Sequence, residues 1–368
     1  MYTEDAGVTV NPGFVPYQKS TLVLEDGTQF FGKPFGANIS VPGEVVFNTA
    51  MTGYPESLTD PSYRGQLLVL TYPLVGNYGV PNNEDENGIA RFFESERIHI
   101  SGLVISDYSF RYSHWNAQKS LSQWLKENNI PGIYGIDTRA LTRHIRECGA
   151  MPGKILHNGD RMEFIDPNAT NLVAEVSAKQ RTVYGDGAKK VLLIDCGVKN
   201  NIIRCLVERD VTVIRVPWDH DISKEDYDGL FISNGPGDPR MCEATISNLK
   251  RAFKQDKPIF GICLGNQLMA LAGGAECYKL KYGHRSHNQP VQKVGTHRVF
   301  ITSQNHGFAI NNETLGKDWE PLFVNLNDGT NEGMKHKSKP FFSVQFHPEA
   351  SGGPSDTAFL FDEFLNLF

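Results

Sequence analysis

The segment from residue 258 to residue 270 (PIFGICLGNQLMA) constrains the fold of this 368-residue chain more than any other. A short apolar run, typical of a buried strand, leads into a turn bracketed by Gly261 and Gly265, and a helix-forming segment follows at once. The two glycines allow the strand and the helix to approach closely, so Cys263 between them projects from the sheet. A helix N-terminus favours a thiolate, and its free N–H groups can stabilise an oxyanion. We therefore predict a nucleophilic cysteine on a strand-turn-helix elbow.

Residues 341–349 (FFSVQFHPE) supply the groups that such a nucleophile needs. An apolar strand precedes His347, and Glu349 follows two positions later, where an extended backbone would send both side chains to the same side. Pro348 disfavours a helix here. We predict Cys263 as the nucleophile, His347 as the base and Glu349 as the orienting carboxylate. This second motif weakens the alternative that the cysteine is only a small buried hydrophobe.

Five further runs complete a pattern that covers the chain from Leu22 to the C-terminus. They are residues 43–49 (GEVVFNT), 58–63 (LTDPSY), 71–77 (TYPLVGN), 233–239 (SNGPGDP) and 304–308 (QNHGF). With the elbow, these runs resemble the class I glutamine amidotransferases, and most closely the family of small, glutaminase subunits of carbamoyl-phosphate synthetase. The resemblance includes an N-terminal segment that other class I amidotransferases lack. Asn266 departs from the pattern, because many members have histidine there. The position is near the nucleophile but outside the triad, so the departure bears on the fine tuning of the site and not on the reaction.

The resemblance assigns a set of residues to L-glutamine, although each lies in a segment that also has a purely structural interpretation. Turns account for the glycine-rich run 234–239 and for the Pro-containing run 60–63. The Gly-x-Gly in the first run also suggests a dinucleotide site, but Pro236 and Pro239 interrupt the helix start that would hold a pyrophosphate, and we reject that function. The residues assigned to glutamine are Ser62, Gly235, Gly237, Leu264, Gln267, Asn305, Gly307 and Phe308.

Residues 304–308 follow a predicted strand, and we predict them as a loop. His306 in this run competes with His347 for the role of base. We prefer His347 because it has a carboxylate two residues away, which His306 lacks.

Composition excludes several classes of function. The formal net charge of −6 provides no basic surface for nucleic acid, and no apolar run approaches the length of a membrane span. The six cysteines form no C-x-x-C pair, and the eleven histidines show no metal-ligand spacing. We therefore expect reduced thiols in a cytoplasmic protein, with no metal and no cofactor in this chain.

The length of the chain predicts two domains, because 368 residues exceed one ordinary core. Residues 1–18 are predicted to be a mobile tail that lacks the regions of a signal peptide. Residues 19–155 are predicted to be a strand-rich mixed α/β domain, and residues 156–189 a linker. Residues 190–368 are predicted to be a class I glutamine amidotransferase domain, with a mainly parallel sheet covered by helices on both faces.

Strand and helix patterns support this α/β class. In the first domain, an Asp-Gly turn signal at residues 26–27 predicts a hairpin, and helices are predicted at about 117–126 and 138–149. In the second, strands alternate with helices, which predicts parallel strands whose carboxyl ends bind the ligand. The sequence ends with a predicted helix at 359–368, and we take this ending to favour a separate subunit over a fragment of a fused polypeptide.

The resemblance implies glutamine hydrolysis to glutamate and ammonia, as the contribution of this chain to a heterodimer. No nucleotide motif is present, so ATP and Mg²⁺ are expected on a large synthetase subunit. That partner would use the ammonia to make carbamoyl phosphate from bicarbonate for arginine and pyrimidine synthesis. Three alternatives stay open: a glutaminase for another synthase, a cysteine hydrolase of another amide, and a catalytically silent regulatory subunit.

Overall fold

The computed structural model describes residues 19–86 and 88–368, so the tail predicted at residues 1–18 lies outside the described residues. The first strands are β1 (Ser20–Leu24), β2 (Gln29–Gly36), β3 (Val41–Asn48), β4 (Gln66–Leu70), β5 (Val80–Pro81), β6 (Asp85–Glu86), β7 (Ile89–Ala90), β8 (Gly102–Ile105), β9 (Ala117–Lys119), β10 (Pro131–Tyr134) and β11 (Met151–His157). The first helices are α1 (Tyr54–Thr59), α2 (Leu121–Glu127) and α3 (Thr138–Cys148).

Seven of these strands close into a barrel in the order β1-β11-β3-β4-β8-β10-β2. The predicted hairpin is β1 and β2, which pair antiparallel around Gly27, whose φ of 88° suits glycine. Neighbouring residues alternate between two buried clusters: Val45 and Leu67 lie in one, and Val46 and Leu68 in the other. Both faces of the barrel sheet are therefore covered, the inner one by its own side chains.

The helices of this part match the sequence signals unequally. The helix predicted at 138–149 is confirmed as α3, where Asp137 accepts a hydrogen bond from the Ala140 N–H and Gly149 follows the last turn. The helix predicted at 117–126 is wrong at its start, because residues 117–119 form strand β9. Helix α2 begins only after Ser120, whose hydroxyl caps it by accepting from the Gln123 N–H.

The second part of the chain contributes ten strands and five helices. The strands are β12 (Thr182–Tyr184), β13 (Lys189–Asp195), β14 (Val211–Pro217), β15 (Gly229–Ile232), β16 (Ile259–Ile262), β17 (Cys277–Lys293), β18 (Val299–Ile310), β19 (Trp319–Asn325), β20 (Asn331–His336) and β21 (Phe341–Val344). The helices are α4 (Leu172–Val176), α5 (Asn200–Val207), α6 (Glu243–Ala252), α7 (Leu264–Ala272) and α8 (Phe359–Leu365).

These ten strands form one sheet, in the order β12-β14-β13-β15-β16-β21-β20-β19-β17-β18. The centre, from β14 to β21, is parallel, and an antiparallel arm continues from β20 to β18. Buried clusters cover both faces of the centre, which confirms the predicted α/β class. Among the described residues, none of the helices is both long and apolar enough to cross a membrane.

Two segments differ from their sequence interpretation. Residues 304–308 are not a loop but part of β18, because the long strand β17 pairs with them. Residues 156–189 were predicted to be a linker, but they contain helix α4 and strand β12, and β12 adds an antiparallel edge strand to the sheet. The domain boundaries themselves stay a prediction.

Candidate active site

The strand-turn-helix around Cys263 consists of β16 and α7. Cys263 has φ 55° and ψ −102°, a strained conformation for a residue with a side chain, and its N–H donates to the Val344 carbonyl at 2.8 Å. A Cβ on Gly265 would lie 2.3 Å from the Ile232 oxygen, and one on Gly261 would lie 2.8 Å from Gly265 backbone atoms. Both glycines are therefore required for the strand and the helix to pack this closely.

His347 and Glu349 meet directly after β21. The Nδ1–H of His347 donates to Oε1 of Glu349 over 2.6 Å, and both side chains are buried. The predicted extended backbone is not what joins them, since β21 ends at Val344 and residues 348–349 form a turn. The backbone N–H of His347 is held by the Ser303 carbonyl of β18 at 2.9 Å.

Lys199 adds a positive charge to the pair of His347 and Glu349. Its ammonium donates to Oε1 of Glu349 at 3.0 Å and to the Ala350 carbonyl at 2.7 Å, in a buried site. Burial raises the pKa of Glu349, but Lys199 and His347 lower it more, to about 2. Burial lowers the pKa of His347, but Glu349 and Cys263 raise it more, to about 10. The arrangement favours an ionised carboxylate next to an imidazolium.

The Nε2 atom of His347 is the ring nitrogen that does not contact Glu349. It is buried and makes no close hydrogen bond among the described residues, although its interaction with the Cys263 thiol contributes to the raised pKa of His347, while Nδ1 is committed to Glu349. Because Cys263 raises the pKa of His347, the thiol lies within electrostatic reach of the imidazole. This geometry suits proton transfer between a sulfur nucleophile and a bound leaving group.

A cleft that is open to solvent lies beside the cysteine. Of the residues predicted from the sequence, those lining it are Ser62, Gly235, Gly237, Cys263, Gln267, Asn305, Gly307 and Phe308. Leu264 is not part of this lining and instead packs toward Gly235 from the first turn of α7. His347 lines a neighbouring pocket, together with Lys199.

The barrel completes one wall of the cleft. The hydroxyl of Ser62 accepts from the Asn234 side-chain amide at 2.9 Å, and Asp60 accepts from the Asn305 amide at 3.0 Å. Asp60 also accepts from the Ser62 N–H at 2.8 Å, which fixes the short turn that carries the serine. The turn that carries Asp60 and Ser62 is therefore held to the loop of Asn234 and to strand β18 by amide-to-oxygen contacts.

Two side chains of α7 bracket Gln345 behind the cleft. Gln267 donates to the Phe308 carbonyl at 3.0 Å and to Oε1 of Gln345 at 3.2 Å. Asn266 donates to the same oxygen at 3.2 Å and accepts from the Ser343 hydroxyl at 2.7 Å. Asn266 thus packs into the sheet, away from the cleft, and serves to fix the elbow helix.

His306 lines the cleft but belongs to a different network. Its Nδ1–H donates to the Phe308 carbonyl at 2.9 Å, and burial lowers its pKa well below the usual value. Its Nε2 lies 3.2 Å from Gln304, and the nearest carboxylate, Glu332, is 3.9 Å away. With His284, His306 and Glu332 form a buried group whose ligand atoms lie within 4.8 Å of one another. In this structure their contacts are those of a hydrogen-bond network, because Gln304 also contacts His284 at 2.9 Å.

Sequence reasoning missed three contributors to the site. Asp60 and Asn234 lie in runs that the sequence analysis named. Their role is to position Asn305 and Ser62 by hydrogen bonds, and such a contact between distant side chains has no local sequence signal. Lys199 follows strand β13 on the loop before α5, and the carboxyl-end rule for parallel strands was the one signal that could have found it.

Comparison with known proteins identifies both halves of the chain. Residues 192–367 match the family described as glutamine amidotransferase class-I, and residues 22–155 match the carbamoyl-phosphate synthase small chain, CPSase domain. The chain is 52% identical to the carbamoyl phosphate synthase arginine-specific small chain of Saccharomyces cerevisiae, covering 95% of this chain and 88% of that protein.

Longer relatives contain the same stretch. The chain is 51% identical to the human mitochondrial carbamoyl-phosphate synthase (ammonia), over 96% of this chain but 24% of that protein. It is 54% identical to the multifunctional protein CAD of Squalus acanthias, over 94% of this chain and 16% of that protein. The chain thus spans about a quarter or less of the length of these two relatives.

Proposed function

The chain belongs to the family of carbamoyl-phosphate synthase small chains, and on this premise we propose that it hydrolyses L-glutamine to glutamate and ammonia at Cys263. The observation that carries the proposal is the buried contact of 2.6 Å between His347 and Glu349 beside a cysteine on a strained elbow. A nucleophile, a base and an orienting carboxylate are the parts of a covalent amide hydrolase.

The reaction begins when the Cys263 thiolate attacks the side-chain amide carbon of glutamine. The oxyanion that forms accepts hydrogen bonds from backbone N–H groups at the start of α7, where the first donors have no acceptor within the helix, and from the loop of Gly235 and Gly237. His347 gives its proton to the leaving ammonia, and a thioester remains. His347 then takes a proton from water, which attacks the thioester and releases glutamate.

We further propose that the ammonia serves a large synthetase subunit that binds this chain and holds ATP and Mg²⁺, while this chain itself uses no cofactor. The yeast relative is named as a small chain, which supports a partner of complementary function. The product would be carbamoyl phosphate, made from bicarbonate for arginine or pyrimidine synthesis. The six free cysteines suit the cytosol, where we expect the complex to work.

Replacement of Cys263 by serine tests this division of labour. In the complex with the co-purified large subunit, we expect Cys263→Ser to lower glutamine-dependent carbamoyl phosphate formation by roughly 10³-fold or more, because a hydroxyl is a poor nucleophile in a thiolate site. Synthesis from added ammonium salt should continue nearly unchanged, since the substitution is almost isosteric. Both rates are measured on the same preparation.

The outcomes separate the alternatives. Loss of ammonia-dependent synthesis in an intact complex would give Cys263 a role in the synthetase chemistry and contradict the proposal. A wild-type chain that binds the partner but releases no glutamate from glutamine would indicate a silent regulatory subunit or a hydrolase of another amide.

A further inference from the structure

Arg285 is a buried cation at the cleft that the proposed reaction does not use. It lies on β17 and pairs in the ladder with Asn305 of β18, one of the residues predicted to bind glutamine. Its side chain lines the cleft together with Cys263, and only 5% of the residue is exposed. A guanidinium that is withdrawn from water needs anionic or carbonyl partners.

The protein supplies Arg285 with too few partners. Nη1 donates to the Tyr282 carbonyl at 2.9 Å, but the buried Nε has no hydrogen-bond acceptor among residues 19–86 and 88–368. Within the same described ranges, no carboxylate oxygen forms an ion pair with this guanidinium at 4.0 Å or less. Burial accordingly lowers the pKa of Arg285, and Glu44 opposes that effect only from a distance.

Glu44 is the nearest candidate carboxylate, and it is already engaged. It accepts from Lys279 at 2.6 Å, from Gln66 at 3.0 Å and from Asn168 at 3.2 Å, in a buried position that also lines the cleft. The cleft therefore presents a saturated carboxylate and an unsaturated guanidinium.

The free edge of the guanidinium faces the strand of the predicted substrate residues. A Cβ built on Gly307 would lie 3.3 Å from Nη2 of Arg285 and would meet no other atom within 4 Å outside residues 306–308. Gly307 thus leaves open space directly in front of an uncommitted donor. A planar ligand with two acceptor oxygens matches the fork of a guanidinium.

We infer that Arg285 binds the α-carboxylate of the substrate and so restricts the reaction to free α-amino acids. This inference rests on the proposed glutaminase function, and it adds the recognition of the end of glutamine that does not react. With its γ-amide at Cys263, glutamine directs its α-carboxylate toward Gly307 and Arg285.

The test compares L-glutamine with its isosteric α-amide, in which the carboxylate is neutral. The wild-type chain, with any large subunit that co-purifies, should prefer glutamine in kcat/KM, as measured by formation of the γ-hydrolysed product. Arg285→Met should raise KM for glutamine by roughly 10- to 100-fold, the range for loss of hydrogen bonds to a charged group, while kcat changes little. Its preference for glutamine over the α-amide should fall by the same factor, and Arg285→Lys should be intermediate.

Arg181→Met is the matched control, because this half-exposed arginine has a carboxylate partner in Glu225 at 3.1 Å and lies outside the cleft. It should keep the wild-type preference. The inference is overturned if Arg285→Met retains that preference, or if it loses kcat equally for both compounds, which would indicate an effect on the thiolate. If Arg285→Met does not fold, equal use of glutamine and the α-amide by the wild-type chain, or an undiminished preference for glutamine in Arg285→Lys, would overturn it. A wild-type chain that hydrolyses neither compound would instead contradict the proposed function.

Discussion

Cys263 shows at the scale of one residue how the fold prepares chemistry. Its positive φ costs on the order of 1–3 kcal/mol, and it is maintained by the strand and helix that hold it on either side. The sequence predicted this residue and the pair His347 and Glu349, because a glycine-bracketed turn and a short spacing are local signals. It could not predict Lys199 or Arg285, whose importance comes only from what surrounds them in space.

The pKa of His347 leads to a prediction about pH dependence. Glu349 raises this pKa, so Glu349→Gln should lower it and move the alkaline fall of glutamine hydrolysis, where the imidazolium loses its proton, to lower pH. His347→Asn should lower kcat on the order of 10⁴-fold, and Glu349→Gln should lower it less. Profiles of kcat/KM between pH 6 and pH 11 measure the shift. Equal losses, or an alkaline limb that does not move, would count against these roles.

Thiol reactivity provides a second prediction. Burial raises the pKa of Cys205, Cys242 and Cys277 to about 12 and that of Cys196 well above its usual value, so these thiols should stay inert. A chloroketone shaped like glutamine should therefore label Cys263 at neutral pH, and excess glutamine should protect it. Exposed Cys148 is the internal control, since it should react with iodoacetamide without such protection. Peptide mass mapping that found the chloroketone mainly on another cysteine would exclude Cys263 as the nucleophile.

At the scale of elements, the elbow depends on the close approach of the backbones of β15, β16 and α7, which Gly261 and Gly265 allow because they have no side chains. Period and turn signals predicted β16 and α7, since both are locally encoded. They failed at residues 304–308, where Asn, His and Gly favour a turn but pairing with β17 imposes an extended backbone. Tertiary pairing thus overrode local preference at the strand that carries much of the predicted substrate contact.

Gly265 offers a test of this close packing. Gly265→Ala places a methyl group 2.3 Å from the Ile232 oxygen, so α7 must move away from β15. A displacement near 1 Å should lower kcat for glutamine hydrolysis by roughly 100-fold. Gly316→Ala is the control, because its methyl group would meet only ordinary contacts of 3.5 Å or more. Full activity in Gly265→Ala, with an unchanged circular dichroism spectrum, would show that the elbow tolerates more space than we infer.

At the scale of the whole molecule, the barrel and the ten-stranded sheet share buried polar contacts. Glu94, which lies on the connection that leads to the barrel strand β8, accepts from Arg204 at 3.1 Å and from the Asn201 N–H at 3.1 Å on helix α5. The closed barrel was not predicted, because closure depends on strand order, and strand order leaves no trace in local periodicity. The two-part organisation was easier to predict from length and composition.

Removal of Glu94 should therefore weaken the whole chain. Glu94→Ala leaves the Arg204 guanidinium without its carboxylate partner and the Asn201 N–H without its acceptor in a buried place, and we expect the free energy of unfolding to fall by about 3 kcal/mol. Urea unfolding measures this loss. Asp226→Ala removes an exposed ion pair with Lys190 and should leave the midpoint unchanged. If the two variants unfold at the same urea concentration, the contact does not stabilise the assembly of the two parts.

The contacts of Asp60 and Ser62 with Asn305 and Asn234 have a mechanical consequence. The first contact joins the turn at residues 60–63 to strand β18, and the second joins the same turn to the loop after β15. The walls of the substrate cleft therefore come from both the barrel part and the sheet part of the chain. A small rotation of the barrel would move Ser62 relative to the elbow and change the fit of glutamine without any change in either body. We therefore expect a protein that binds the barrel and rotates it to change the rate of glutamine hydrolysis.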